Sequence, residues 1–215
     1  MKKYLALFLT MAMSVGVLAG CGGGNEEPAA TDGADTAERT TFTVGFDAEY
    51  PPYGFKNDAG EYVGFDLDLA QEVCKRNGWE LVKTPIDWDA KDMELNSGAI
   101  DCIWNGFTIN GREDAYTWTE PYIDNTQVFA VKKDGDIQTT ADLAGKNVLV
   151  QADSSALAAL QDEENAEIKA LADSFGSLTE VPDYESALME LEAGSADAVA
   201  MDEGVAKDKQ TKNDN

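Results

Sequence analysis

The chain has 215 residues, with 16 Lys and Arg against 41 Asp and Glu, a net charge of −25. That balance excludes a nucleic-acid binder, which needs a basic stripe to displace counterions, and the absence of His excludes Ser-His-Asp triads, Cys-His dyads and His-based zinc sites. An apolar fraction of 43% is enough for a packed core in one large or two small domains, while three Cys without a Cys-x-x-Cys pair rule out a disulfide scaffold and a thioredoxin-like site.

The chain opens with Met1-Lys2-Lys3 and an apolar run from Tyr4 to Leu18, too short to span a bilayer and ending in small residues. It reads as a secretory signal peptide over residues 1–20. Its end, Leu18-Ala19-Gly20-Cys21, resembles the lipobox of bacterial lipoproteins, which implies cleavage before Cys21 and lipid on that residue. Two acyl chains there would hold the protein at a membrane without a spanning helix. Residues 21–40 contain no large apolar side chain and form a flexible tether with a reach of about 25 Å.

From Thr41 the pattern becomes that of a folded α/β protein. Thr41–Phe46 reads as a strand, ended by Pro51-Pro52. Asn57–Gly60 is a turn. Asp66 can cap a helix from Leu67 to Asn77, stopped at Gly78. Trp79–Thr84 is a strand, Ala90–Asn96 a short helix stopped at Ser97-Gly98, and Ile100–Trp104 a third strand. A second unit begins near the strand Gln127–Val131. It continues with a short helical turn over Asp142–Lys146, a strand Asn147–Val150, a helix from Ser154-Ser155 to Gln161, a strand Leu178–Val181, a helix Tyr184–Ala193 and a strand Ala196–Met201. Such alternation implies parallel sheets covered by helices. The reading gives a first lobe over 41–130, a second over 131–206 and a polar tail over 207–215, with a cleft between the lobes where a small ligand binds.

Several segments carry a family resemblance. Gly45-Phe46-Asp47-Ala48-Glu49-Tyr50-Pro51-Pro52-Tyr53 followed by Val63-Gly64-Phe65-Asp66-Leu67-Asp68 resembles the opening of the extracytoplasmic solute-binding proteins of polar amino-acid ABC transporters (family 3, type II periplasmic-binding fold). Asp101-Cys102-Ile103-Trp104-Asn105-Gly106-Phe107-Thr108 with Arg112 resembles that family's carboxylate-binding segment. Thr119-Glu120-Pro121-Tyr122 resembles its Ser-x-Pro-Tyr. Gln151-Ala152-Asp153-Ser154-Ser155 is similar to its Gln-x-Gly-Ser-Thr turn, and Asp197 to Glu203 to its Asp-Ala-x-x-x-Asp-Glu stretch. The resemblance covers Thr41 to Ala206. Two departures stand out: the Thr108–Arg112 segment is one residue shorter, and the chain stops soon after Glu203, whereas the family pattern completes the second lobe and returns to the first. The expectation is therefore a two-lobed periplasmic-binding-protein-like II fold whose second lobe and return are incomplete.

The resemblance implies a lipid-anchored extracytoplasmic receptor that binds a free amino acid, polar or basic, and delivers it to the membrane permease subunits of an ABC importer. An amino acid brings a carboxylate, which suits the planar fork of Arg112, helped by the Thr108 hydroxyl, close backbone approach at Gly106 and the helix start at Ser155. Its ammonium suits Asp202 at a strand end. Asp47 meets the polar end of the side chain, and Asn105, at a strand end, lines the pocket. Tyr50 and Trp88 stack on its stem, and their loop neighbours argue for exposure. Trp104 either fills core or lines the pocket. Other readings remain: an enzyme on the same fold, dehydratase-like or cell-wall-acting, with Glu49 or Glu203 as acid–base group, or an amino-acid-sensing module. Asp66-x-Asp68 and Asp87-x-Asp89 lack the spacing of a Ca²⁺ loop, and no metal or cofactor is implied. Cys74 and Cys102 read as buried thiols, with a disulfide between them left open.

Overall fold

The computed structural model describes residues 40–212; the signal segment, Cys21, the tether residues through Arg39 and residues 213–215 lie outside it. Strand β1 (Thr41–Phe46) comes first. Three short strands follow, β2 (Glu49–Tyr50), β3 (Gly54–Lys56) and β4 (Tyr62–Val63), which pair antiparallel as a small separate sheet. The sequence pattern conceals them, because each is only two or three residues long. Helix α1 (Phe65–Asn77) leads to β5 (Glu80–Pro85). A three-ten turn over Trp88–Ala90 then runs into α2 (Lys91–Ser97) and β6 (Cys102–Ile103). The sheet order is β5-β1-β6, all parallel. Val44 and Phe46 of β1 pack fully buried on Leu67 and Ala70 of α1.

The second lobe is built on β7 (Gln127–Val131), a three-ten turn over Thr140–Leu143, and β8 (Asn147–Gln151). Then come α3 (Ser155–Gln161), α4 (Ala166–Asp173), β9 (Ser177–Val181), α5 (Tyr184–Ala193), β10 (Ala198–Asp202) and α6 (Glu203–Lys212). Its sheet runs β7-β10-β8-β9, with β7 antiparallel to β10 and the other pairs parallel. Side chains alternate between two cores. Val148, Val150, Ala198 and Ala200 face α3, while Leu149, Val199 and Met201 face α5. Both faces of β8 and β10 are covered, so these strands read as continuous apolar runs.

The structure corrects several expectations. Asp66 does not cap α1: the cap position is Gly64, at φ 136°, and Asp66 lies inside the first turn, fully buried. The stops at Gly78 and Gly98 hold, both left-handed. The strand expected over Ile100–Trp104 shrinks to Cys102–Ile103. The turn expected at Asp142–Lys146 begins earlier, at Thr140, because Thr139 and Asp142 form a reciprocal capping box ahead of it. Helix α4 was not anticipated. The residues described from the polar tail belong to α6 instead. That helix is held by Val205, which is buried, and by ion pairs one turn apart, Lys207–Glu203 and Lys212–Asp208, both 2.7 Å. No disulfide joins Cys74 to Cys102.

Gly64 shows how tightly the entry to α1 is fitted. A Cβ at this position would run into the carbonyl oxygens of Pro52 and Tyr53. Ala is the better helix former, yet Gly64→Ala should lose more than about 1 kcal/mol of stability in urea denaturation, because its backbone conformation is closed to L side chains. An unchanged midpoint would mean that the β2–β3 turn gives way freely.

Candidate functional site

Some of the anticipated residues, Asp47, Ser155 and Asp202, lie at or just beyond the carboxyl ends of β1, β8 and β10. Asp47 follows β1 and is 5% exposed. Its backbone N–H donates to Asn105 Oδ1 at 2.9 Å, and its carboxylate accepts from the Glu49 N–H at 2.8 Å and from Gln151 Nε2 at 2.7 Å. Burial raises the Asp47 pKa above its usual value, against the opposing effect of these hydrogen bonds. Gln151 ends β8 in the second lobe, so this contact joins the lobes.

Asp202 ends β10. One carboxylate oxygen accepts from Gln127 Nε2 at 2.7 Å and from Asn125 Nδ2; the other accepts from the Tyr184 hydroxyl at 2.9 Å. Gln127 also donates to Ser155 Oγ at 3.0 Å, and Asn125 to Thr108 Oγ1 at 3.1 Å. Asp202, Ser155 and Thr108 therefore belong to one hydrogen-bonded group. The residue that caps α3 is Ser154, which accepts from Leu157 N; Ser155 is the first helical residue. Tyr50 lies between Tyr53 and Tyr184, with ring centroids 5.2 and 5.9 Å away. Burial, then the charge of Asp202, holds the phenols of Tyr50 and Tyr184 well above their usual pKa.

A third group centres on Asp153, in the turn between β8 and α3. The Arg112 guanidinium donates to its carbonyl at 2.8 Å and stands 3.5 Å from its carboxylate. The Trp88 indole donates to the same carbonyl at 3.2 Å. Arg112 also covers the Phe107 ring at 4.9 Å, and Trp88 meets Phe107 edge-on at 5.1 Å. Among the described residues the other arginine, Arg76, pairs with Glu72 on the exposed side of α1. Tyr50 and Trp88 are buried, not exposed as their loop neighbours suggested.

Gly106 has φ 56° and donates its N–H to the Tyr122 hydroxyl at 3.0 Å; a Cβ there would lie 3.6 Å from the Tyr50 ring. A groove of about 1020 Å³ takes in Asn105, Gly106, Thr108 and Trp104, but none of the other anticipated residues. It runs along β6 and the segment leading to β7, beside the convergence of polar groups rather than at it. Of the two acids an acid–base mechanism would use, Glu203 pairs with Lys207. Glu49 is exposed, its pKa raised by partial burial and then by Asp183. No group of three or more acids or Cys among the described residues could hold a metal ion. Sequence reasoning missed Lys91, Asn125, Gln127, Gln151, Asp153 and Tyr184 as parts of the site. Gln151 and Asp153 left a signal, Gln151 matching the Gln of the resembling turn and Asp153 standing where that turn has Gly.

Residues 42–180 match the profile of the bacterial extracellular solute-binding proteins, family 3. An L-cystine-binding protein of Bacillus subtilis is 34% identical over 153 residues, 67% of this chain and 56% of that protein. A probable histidine-binding protein of Campylobacter jejuni is 32% identical over 96% of this chain and 76% of its own length. An ancestral arginine-binding protein solved with arginine superposes with a TM-score of 0.74 at 35% identity, covering 83% of this chain and 76% of that one.

The Tyr122 hydroxyl that meets Gly106 donates at 2.9 Å to Asp66 Oδ1, while the buried Oδ2 has no partner. Burial outweighs that hydrogen bond and raises the Asp66 pKa from 3.8 to about 7. The folded state thus keeps a proton that the unfolded chain releases above about 3.8. The stability this contributes is full below that pH and is lost as pH rises through about 7. Unfolding free energies of the wild type and Asp66→Asn, compared across this interval, should diverge with the wild type falling. Parallel curves would show Asp66 to be ionised throughout.

Proposed function

Because the chain belongs to the bacterial extracellular solute-binding proteins of family 3, we propose that it is an extracytoplasmic receptor for a free amino acid, held between its two lobes and passed to the permease of an ABC importer. One observation carries the reading: a guanidinium from the first-lobe segment after β6, Arg112, and a buried carboxylate at the end of β10, Asp202, each with aromatic rings beside it.

In this reading Arg112 takes the ligand carboxylate through N–H groups other than the one spent on Asp153, since a guanidinium has five. Thr108, the Gly106 backbone and Ser155 add polar contacts. The ammonium goes to Asp202, where it exchanges with a neutral donor such as Asn125 and trades an ordinary hydrogen bond for a charge-assisted one. Asp47 and Asn105 receive the end of the side chain, and Tyr50 and Trp88 cover its stem. Relatives named for arginine, histidine and cystine support a polar or basic side chain. The function is one of binding, with no bond made or broken. Cys21 carries the lipid anchor, and residues 21–40 tether the head to the membrane.

Calorimetry of the chain against the common amino acids tests this. One polar or basic member should bind. Arg112→Ala and Asp202→Ala should each weaken it by about 2–5 kcal/mol, the cost of stranding one half of a buried charge pair. Undiminished affinity in Arg112→Ala would place the carboxylate elsewhere. Cys21→Ala should move the protein from the membrane to the soluble extracytoplasmic fraction; a variant that is processed yet stays membrane-bound would refute the anchor.

A further inference from the structure

The amino-acid reading leaves one charged residue unused. Lys91, the first residue of α2, is 1% exposed. Its ammonium lies over the Trp88 ring at 5.0 Å and near the Phe107 ring at 5.7 Å, and it reaches the Trp88 carbonyl at 3.4 Å. Its charge partner is Asp153, whose carboxylate comes from the other lobe. A buried ammonium is costly without an anion, and the aromatic faces supply only part of what water gave it.

Asp153 is unusual in its own right. It is the one non-glycine residue with positive φ among those described, at 52°. Asp tolerates this conformation through its short polar side chain, at some cost. Its carbonyl meets Arg112 and Trp88, and its carboxylate meets Lys91 and Arg112. Every one of those partners belongs to the first lobe. A single turn of the second lobe is therefore clasped by three first-lobe side chains, one of which is the proposed ligand-binding arginine.

We propose that Lys91 and Asp153 form a latch across the cleft, which favours the closed arrangement of the lobes before any ligand enters and fixes the Arg112 guanidinium in position. Lys91 supplies the charge that draws Asp153 across. Asp153 in turn orients Arg112 from the opposite wall, so the fork is aligned only when the lobes are together. Asp153 is in this sense a positioning residue. A receptor that is already partly closed loses less of its binding free energy to closure, since apparent affinity scales with the population of the competent state.

Small-angle X-ray scattering of the full chain without ligand tests the latch directly. Lys91→Met and Asp153→Asn should both give a larger radius of gyration than the wild type, and Lys91→Arg should stay close to it. Asn is chosen at position 153 because it tolerates the positive φ. Stopped-flow measurements with L-arginine, L-histidine and L-cystine as probes form the second arm. Both variants should release whichever probe binds about 5–150-fold faster, the span of a typical coupling, with little change in association rate; a merely structural role would not separate the two rates. This second arm rests on the amino-acid reading, whereas the scattering arm does not. If no probe binds the wild type, scattering alone decides the latch. An unchanged radius of gyration in a folded Asp153→Asn overturns the latch, and this half-exposed position decides the matter even if Lys91→Met does not fold.

Discussion

Two buried carboxylates at the ends of central strands govern what surrounds them. Asp47 follows β1 and Asp202 ends β10, each 5% exposed. A carboxylate taken out of water must be given donors, and each obtains its side-chain donors from other segments of the chain. Asp47 draws in Gln151 from the second lobe, and Asp202 gathers Asn125, Gln127 and Tyr184. Those donors then reach Ser155 and Thr108. The order of the site follows from satisfying two acids where parallel strands end and helices begin, the place where open α/β sheets leave backbone and side chains turned towards a cleft.

The apolar contribution to this junction is small but specific. Tyr50 and Tyr53 leave the first lobe and join the cluster that contains Leu149, Tyr184, Met201 and Val205 of the second. Gly204, at the start of α6, lies under the Tyr53 hydroxyl, where a Cβ would overlap it. The ring thus packs against the bare backbone of a helix start. Aromatic bodies with a polar tip suit such a seam, because the body is buried while the hydroxyl finds a partner.

Much of the fold was legible because strands and helices here follow their own chemistry. The runs Thr41–Phe46 and Gln127–Val131, the stops at Gly78 and Gly98 and the helix Tyr184–Ala193 all stand where the pattern put them. The misses have a common cause, which is long-range context. Helix α6 is polar almost throughout and gains its order from Val205 and from Lys209 reaching Glu185 of α5. Asp66 has the look of a cap but is claimed by Tyr122, 56 residues away. Trp88 sits among acids that suggest exposure, yet the Asp153 turn closes over it. Lys91 reads as a solvated charge on a short helix, and only the opposite lobe explains its burial. The site residues were named from a resemblance, but their partners Asn125, Gln127 and Tyr184 have no local signature that separates them from any polar surface.

Charge makes the seam between the lobes a selective place. A chain of net charge −25 repels itself, and any closure that brings two acidic surfaces together works against that repulsion. With only 16 basic residues in all, the position of each cation matters. Four of the described ones sit on helices beside acids one turn away, where they are worth little. Lys91 and Arg112 are placed differently, at the junction, with low exposure and with aromatic faces behind them. The cations' own burial lowers the effective dielectric on their side of the contact, so their pull on Asp153 exceeds that of a fully solvated pair. Two cations meet one carboxylate at this point, and a second carboxylate brought by a ligand would complete the balance. In the proposed reading Arg112 takes the ligand's acid group while Lys91 holds the Asp153 turn, and that turn bears on both because its carboxylate meets both cations.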